Sequence, residues 1–285
     1  MSKVAVVTDS TAYIPSELIE GYPIYVAPLQ VIWGGETFRD GVDIQPTEFY
    51  SRLQDAKVMP TTSQATPAAF MEIYRTLLDE GYEILSAHIS SKLSGTLDSA
   101  TQALEHFPGA PIELVDTLST SMAMGFSVLD AARAAKQGAT LKECKEILEN
   151  SCQNSGVLFA VSTLEFLRRG GRIGGAQAFL GTALNLKPIL ELRNGKIEAI
   201  ERVRTMSKTI DRLLNLFEER VDGRRPISIA ALHANAPDVA QQLIERARQR
   251  FPESEVRASI LSDVSPAIGT HTGPGCVGLA FTTGG

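Results

Sequence analysis

Cysteine and histidine are scarce in this chain, and their spacing excludes the common metal and redox sites. The 285 residues include 3 cysteines and 4 histidines. Cys144, Cys152 and Cys276 form no CxxC motif, and no two histidines stand at the helical spacing of zinc ligands. Scattered cysteines in odd number are typical of free thiols in a reducing compartment. We therefore predict a cytoplasmic protein with no metal and no cofactor.

Signature motifs of nucleotide-dependent and hydrolytic enzymes are also missing. The sequence has no GxxxxGK[ST] loop, no GxGxxG directly after a predicted strand, no HExxH and no GxSxG. The chain therefore lacks the usual means of holding ATP phosphates or activating a serine. These absences favour a binding protein over an enzyme.

Long apolar runs and an excess of positive charge are absent as well. No stretch approaches the roughly 18 apolar residues of a spanning helix, and the run Val4–Val7 is too short for a signal peptide. Lys and Arg number 27 against 33 Asp and Glu, for a net charge of −6. A general nucleic-acid binder would usually carry a basic face. We expect no transmembrane segment and no nucleic-acid partner.

Alternating strand and helix patterns dominate the first half of the chain. Strands are predicted at Val4–Thr8, Ile84–Ile89 and Ile112–Val115, with helices such as Pro67–Leu78 and Leu97–Phe107 between them. Short links between strand and helix indicate a mostly parallel sheet with helices on both faces. We assign residues 1–155 to an N-terminal α/β domain.

The pattern changes after about Ser155. Asn194-Gly195 stands between two predicted strands and is a strong hairpin signal. A helix is predicted over Ala176–Leu184, and Pro266–Gly275 is predicted to be a glycine-rich loop between strands. The predicted fold class is thus α/β with two domains, the second covering residues 156–285 and built on a mixed sheet with helices.

The segment Ser90–Thr96 carries the strongest functional signal. It follows a predicted strand and precedes a predicted helix, so free N–H groups and the positive end of the helix dipole meet its hydroxyls. Such a junction accepts anions, and one lysine with several hydroxyls suits a small, singly charged head group. The alternative is an ordinary helix start with Ser94 as N-cap, and the two interpretations are compatible.

A second hydroxyl cluster, Thr61–Ser63, lies before the helix that starts at Pro67. Thr66 is the predicted N-cap of that helix, since it directly precedes a proline at the first helical position. The cap does not explain Thr61–Ser63, which lie too early. These three residues are interpreted either as a solvated turn or as part of a ligand site.

Basic and glycine-rich segments in the second half leave their roles open. The run Arg168–Gly175 fits an exposed flexible loop or a basic flap that receives phosphate or an acidic partner. Arg204, at a predicted strand end, would add a second guanidinium. His271 lies among glycines that allow a ligand close to the backbone, and a structural role is the alternative. His233 has the same ambiguity.

The ordered set of these motifs resembles the DegV family of bacterial fatty-acid-binding proteins, which includes the carrier subunit of fatty acid kinase. The motifs are VAVVTDS from Val4, TSQ from Thr62, SSKLSGT from Ser90, RRGGRI from Arg168, the Arg204-Thr205 pair and HTGPG from His271. The resemblance covers essentially the whole chain. Ala65 departs from it, because the family often has proline there.

The resemblance implies one long-chain fatty acid bound between two α/β domains. It places the carboxylate at Thr62 and Ser94, with Ser63 and Gly95 as neighbours and His271 close by. It assigns Arg172 and Arg204 to the phosphorylated product or to docking of an ATP-dependent fatty acid kinase subunit. Transient contact with a membrane surface is compatible with such a carrier.

Two other hypotheses stay open at this point. The fold could bind a small hydroxy-carbonyl compound, as in dihydroxyacetone-kinase-like proteins, with His271 or His233 as the reactive group. It could instead bind a phosphate ligand through Arg168, Arg169 and Arg172.

Overall fold

The structure is a computed structural model that describes residues 3–181 and 186–284. The strands of the described residues are β1 Val4–Asp9, β2 Ile24–Ala27, β3 Gln30–Trp33, β4 Glu36–Arg39, β5 Thr61–Ser63, β6 Glu83–His88, β7 Ile112–Asp116, β8 Ser155–Ala160, β9 Lys187–Arg193, β10 Lys196–Val203, β11 Ile227–His233, β12 Val256–Asp263 and β13 Val277–Thr283. The α-helices are α1 Ser16–Ile19, α2 Pro46–Gln54, α3 Pro67–Asp79, α4 Thr96–Leu104, α5 Ser121–Lys136, α6 Leu141–Gln153, α7 Glu165–Arg169, α8 Met206–Val221, α9 Pro237–Arg248 and α10 Pro266–Thr272. Among these helices, none has the length and hydropathy to cross a membrane.

The first sheet is parallel and has the order β2-β1-β6-β7. Every residue of β1 is buried, because alternate side chains pack against different helix layers. Val4 and Val6 face α5 and α6, whereas Ala5 and Val7 face α3 and α4. This arrangement confirms the predicted parallel sheet with helices on both faces.

The second sheet is mixed, with the order β10-β9-β8-β13-β11-β12, and β11–β12 is its parallel pair. Asn194 and Gly195 form the β9–β10 turn with φ of 50° and 77°, as the hairpin signal predicted. Leu158 and Ala160 pack towards α8 and α9. Val157 and Phe159, on the opposite face, join a cluster with residues of the N-terminal half.

Two predictions about local structure are wrong, and one open alternative is decided. The solvated turn is excluded for Thr61–Ser63, because these residues form the edge strand of a small antiparallel sheet, β4-β3-β5, in which Thr62 pairs with Val31. Residues 266–272 form helix α10 rather than a loop, with the Ser265 hydroxyl accepting a hydrogen bond from the Ile268 N–H at 3.3 Å. The helix predicted over 176–184 is a 3₁₀-helix at Gly174–Phe179, and residues 182–185 lie outside the described residues.

Candidate functional site

A largely apolar cavity lies where the two sheets and helix α10 meet. Its free volume, including the opening to solvent, is about 910 Å³. Residues from both sides of position 155 line it. The polar members are Thr62, Ser63, Gln64, Ser94, Thr120, Ser121, Arg172, His271 and Thr272.

Thr62 and His271 form the central polar contact of the cavity. Thr62 Oγ1 and His271 Nε2 lie 2.8 Å apart and join β5 to α10. Burial, together with the positive charge of Arg172, lowers the pKa of His271 from 6.5 to about 4. The imidazole is therefore neutral at neutral pH. Its Nδ1 is buried and has no hydrogen-bond partner among the described residues.

Gly170 and Arg172 hold the other side of the imidazole. A Cβ on Gly170 would lie 2.0 Å from His271 Nδ1, so the ring occupies the space that any side chain at 170 would need. The Arg172 guanidinium donates through Nε to Leu93 O at 2.9 Å and through Nη1 to Gly170 O at 2.6 Å. Arg172 is thereby anchored to the segment that carries Ser94.

The basic run therefore divides into two parts with different surroundings. Arg168 and Arg169 are exposed and both pair with Glu165, at 2.9 and 2.6 Å. Arg172 is half-buried and lines the cavity. The predicted flexible loop is therefore wrong for Arg168 and Arg169, which are exposed but belong to the last turn of helix α7.

Ser94 lines the same cavity as Thr62, which brings the two predicted hydroxyls to one site. The predicted N-cap role of Ser94 is wrong by one residue, because α4 begins at Thr96 with Gly95 as N-cap. Ser94 Oγ accepts a hydrogen bond from the Thr96 N–H at 3.3 Å and lies 2.8 Å from Thr96 Oγ1. Ser63 also lines the cavity, whereas Gly95 is not part of its lining and faces Gln64.

Two other predicted polar residues lie elsewhere. Arg204 is exposed between β10 and α8 and is not part of the cavity lining. The Ser90 hydroxyl, from the segment with the strongest sequence signal, donates to Gly195 O at 2.8 Å. Ser90 thus fixes the β9–β10 turn to the N-terminal half and does not line the cavity.

Thr120 and Ser121, at the start of α5, form a second hydroxyl pair of the cavity that is not among the predicted head-group residues. Thr120 Oγ1 is buried and has no hydrogen-bond partner among the described residues. Their position is a sequence signal, since both residues follow β7 as the hydroxyl segment Ser90–Thr96 follows β6. Cavity-facing apolar residues were missed as well: Leu29, Ile89, Leu93, Val157, Phe159, Leu167, Leu192, Ile197, Leu232, Val264, Ala267, Ile268 and Cys276.

A Ser–His–Asp arrangement lies in the core but not at the cavity. Ser86 Oγ is 2.7 Å from His88 Nε2, and His88 Nδ1 is 3.2 Å from Asp9 Oδ2. All three side chains are fully buried beneath the helices of the parallel sheet, and none lines a described cavity. Asp9 also accepts hydrogen bonds from the Thr11 and Ile89 N–H groups. The arrangement therefore orders the ends of β1 and β6.

Comparison with known proteins fits this geometry. The model of the DegV family, described as an uncharacterised protein family, matches residues 3–284. The chain belongs to the DegV family. A DegV domain-containing protein of Streptomyces coelicolor is 41% identical over 281 residues, covering 98% of each chain. Protein DegV of Bacillus subtilis is 36% identical over 280 residues, again covering 98% of each chain.

Solved structures of DegV proteins share the fold. A DegV family protein from Thermus thermophilus, described by its fatty acid binding, superimposes with a TM-score of 0.90 at 39% identity, covering 99% of each chain. DegV of Bacillus subtilis, described as a fatty acid binding protein, gives a TM-score of 0.89 at 34% identity, covering 100% of each chain. Within the described residues of this DegV protein, no cluster of three or more His, Cys, Asp or Glu forms a metal site.

Proposed function

We propose that this protein binds one long-chain fatty acid between the two α/β domains predicted at 1–155 and 156–285. The observation that carries the proposal is a largely apolar cavity whose boundary contains Thr62, Ser94, Arg172 and His271. The two DegV proteins described as fatty acid binding support it, since both share the fold over almost the whole chain.

The hydrocarbon tail supplies the affinity. Burying ~14 methylenes at about 0.8 kcal/mol each amounts to about 11 kcal/mol of transfer free energy. Association and ordering of the chain offset several kcal/mol of that gain. The carboxylate needs hydrogen-bond donors, because the cost of burying an unpaired carboxylate would cancel the remaining gain in free energy.

The hydroxyls can supply those donors. When the neutral His271 donates through Nε2 to Thr62 Oγ1, the Thr62 hydroxyl hydrogen is free to bind a carboxylate oxygen. Ser94 Oγ already accepts from the Thr96 N–H, so its hydrogen can be directed to the same ligand. Arg172 adds a nearby positive charge. Charge-assisted bonds of this kind are stronger than neutral ones.

The polar end of the cavity adjoins the surface, which supports presentation of the carboxylate to a partner. Thr62, Arg172 and His271 also line an outer depression of about 720 Å³ that includes Phe166 and Arg169. A carboxylate bound at these residues would be next to this depression. We propose that an ATP-dependent fatty acid kinase subunit reaches the head group there and forms an acyl phosphate, with Arg172 and the exposed Arg204 as phosphate or docking contacts.

Native mass spectrometry of protein purified from bacteria without delipidation tests fatty-acid binding. We expect a bound mass in the range of C14 to C18 acids, and we expect added palmitate or oleate to raise the melting temperature of delipidated protein. An unliganded mass together with an unchanged melting temperature would reject the proposal.

Reconstitution with a fatty acid kinase subunit tests presentation. Arg172→Ala and His271→Ala should slow acyl-phosphate formation at saturating fatty acid. Arg168→Ala is the matched control, because Arg168 is exposed, pairs with Glu165 and does not line the cavity. Equal rates for all three variants and the parent protein would contradict the roles of Arg172 and His271.

Of the residues that the other two hypotheses name, His271 and Arg172 line the cavity, whereas His233, Arg168 and Arg169 do not. His233 does not line the cavity, and its neighbour at 3.4 Å is Asp263. Arg168 and Arg169 are paired with Glu165. A phosphate site built from three arginines would therefore have to break both ion pairs first.

A further inference from the structure

The cavity has a second boundary, at the β8–β9 strands, that differs from its polar end. Val157 and Leu192 are the two described residues that line both the cavity and a separate cleft on the other side of them. They are directly paired across the antiparallel β8–β9 ladder, so their side chains stand next to each other on one sheet face. This residue pair therefore separates the cavity from the cleft at this point.

The cleft beyond the partition is open to solvent, and polar and apolar residues line it in about equal measure. Its free volume, including open solvent, is about 1470 Å³, and its lining includes Glu191, Arg193 and Arg220. Glu191 pairs with Arg193 at 2.5 Å and with Arg220 at 2.7 Å. Apolar surface that enters this open cleft beside charged side chains gains less transfer free energy than apolar surface enclosed in the cavity.

The partition is at a different place from the head-group residues. Thr62, Arg172 and His271 are shared between the cavity and the outer depression, and none of them lines the cleft. Val157 is 5% exposed and Leu192 half-buried, so both side chains fill space that an acyl chain would otherwise enter.

We propose that the Val157–Leu192 pair is the end wall of the fatty-acid site and sets the length of the longest acyl chain that the cavity can bury completely. This inference rests on the proposed function. A chain that reaches the pair must stop, fold back or displace a side chain into the cleft. Trimming either side chain frees enclosed space within the cavity, beside the β8–β9 ladder, that additional methylenes can fill.

Competition among saturated fatty acids tests the wall. Delipidated protein is incubated with an equimolar mixture of C12 to C20 acids, and the bound masses are read by native mass spectrometry. For Leu192→Ala and Val157→Ala we expect the ratio of C20 to C16 occupancy to rise about tenfold, the factor expected for burying two more methylenes.

Leu190→Ala is the matched control. Leu190 is in the same strand and on the same sheet face, is fully buried, and lines neither the cavity nor the cleft. It should lose comparable packing energy while keeping the parental chain-length profile. If Leu192→Ala does not fold, the chain-length profile of Val157→Ala is the test of the wall.

The outcomes separate this proposal from the proposed function. A parent protein that binds none of the acids refutes fatty-acid binding itself. If the parent protein binds the acids, three results would refute the wall alone. The folded Leu192→Ala and Val157→Ala variants could keep the parental chain-length profile, or both could bind no acid. Leu190→Ala could also shift the profile as much as the wall variants do. A shift to longer chains in the wall variants alone supports the wall.

Discussion

At the scale of single residues, a neutral histidine orients the hydroxyl on which the proposed head-group binding depends. His271 cannot easily become charged, because it is buried and faces the guanidinium of Arg172. Its contact with Thr62 is therefore a hydrogen bond between neutral groups, and it fixes where the Thr62 hydroxyl points.

Removing the Thr62 hydroxyl should weaken fatty-acid binding. Thr62→Val keeps the shape and the strand preference of the residue. We expect it to weaken the binding free energy of the fatty acid by about 1–3 kcal/mol, since one carboxylate oxygen loses its hydrogen-bond partner. Ser94→Ala should act similarly. Calorimetric titration of palmitate measures the change, with Thr62→Ser as the control that retains a hydroxyl. An unchanged Kd in both hydroxyl-free variants would refute the head-group assignment.

Gly170 should be intolerant of even one methyl group. Its φ is not in the left-handed region, so alanine suits the backbone, but the added Cβ would clash with His271 Nδ1 at 2.0 Å. We expect Gly170→Ala to lower the free energy of unfolding by about 1–3 kcal/mol, as overpacking usually does.

Urea denaturation of Gly170→Ala, His271→Ala and the double variant isolates the clash. The double variant should be more stable than the sum of the single effects predicts, because the imidazole that opposes the methyl group is gone. Additive losses would show that the glycine matters for another reason.

At the scale of elements, a buried carboxylate positions the short helix that carries His271. Asp40, directly after β4, accepts hydrogen bonds from Ser10 Oγ at 2.6 Å and from the Ala267 N–H at 3.1 Å. It thereby joins the end of β4 and the 3₁₀ turn after β1 to the start of α10. Burial raises the pKa of Asp40 from 3.8 to about 6.

This raised pKa predicts a pH dependence of stability. Folding favours the protonated form of Asp40. Its contribution to the free energy of unfolding is therefore fully present below about pH 4 and is lost as the pH rises through about 6. We expect Asp40→Asn to be more stable than the parent protein at pH 7 by about 1–3 kcal/mol, and nearly equal to it at pH 4. Urea denaturation at both pH values measures this. A variant that is less stable at pH 7 would show that the ionised carboxylate stabilises the helix.

The elements predicted correctly are those with strong local patterns. The parallel sheet follows from apolar strands that are buried on both faces, and the β9–β10 turn from Asn194-Gly195. Strand β5 has three hydroxyl residues and no apolar pattern, and it exists because it pairs with β3. Helix α10 has a Ser265-Pro266 start signal, but the glycines and threonines that follow resemble a loop.

At the scale of the whole molecule, the two halves of the chain close around the cavity through specific contacts. Ser90 binds the turn at Gly195, Arg172 binds Leu93 O, and Thr62 binds His271. Each contact joins a residue before position 155 to one after it. A ligand in the cavity would therefore stabilise both halves together.

Fatty-acid loading should accordingly stabilise the fold. By linkage, a ligand at 100 times its Kd adds about 2.7 kcal/mol to the free energy of unfolding. Urea denaturation of delipidated protein with and without palmitate measures this increase. Butyrate, which has the carboxylate but little apolar surface, is the control and should have no effect. Identical unfolding curves with palmitate would contradict binding to the folded state.

The sequence by itself determined the α/β class and the parallel and mixed sheets, because strand periodicity and turn chemistry are local properties of the chain. The order of its motifs predicted Thr62 and Ser94 as head-group residues, and both line the cavity. The cytoplasmic location, the kinase partner and contact with a membrane surface stay predictions.

Only the tertiary structure decided which of these groups meet. It placed Arg172 in the cavity and Arg204 outside it, bound Ser90 to a distant turn, and paired Val157 with Leu192 at the β8–β9 boundary of the cavity. A cavity is the space that elements distant in sequence leave between them, so its shape depends on packing that no local pattern encodes.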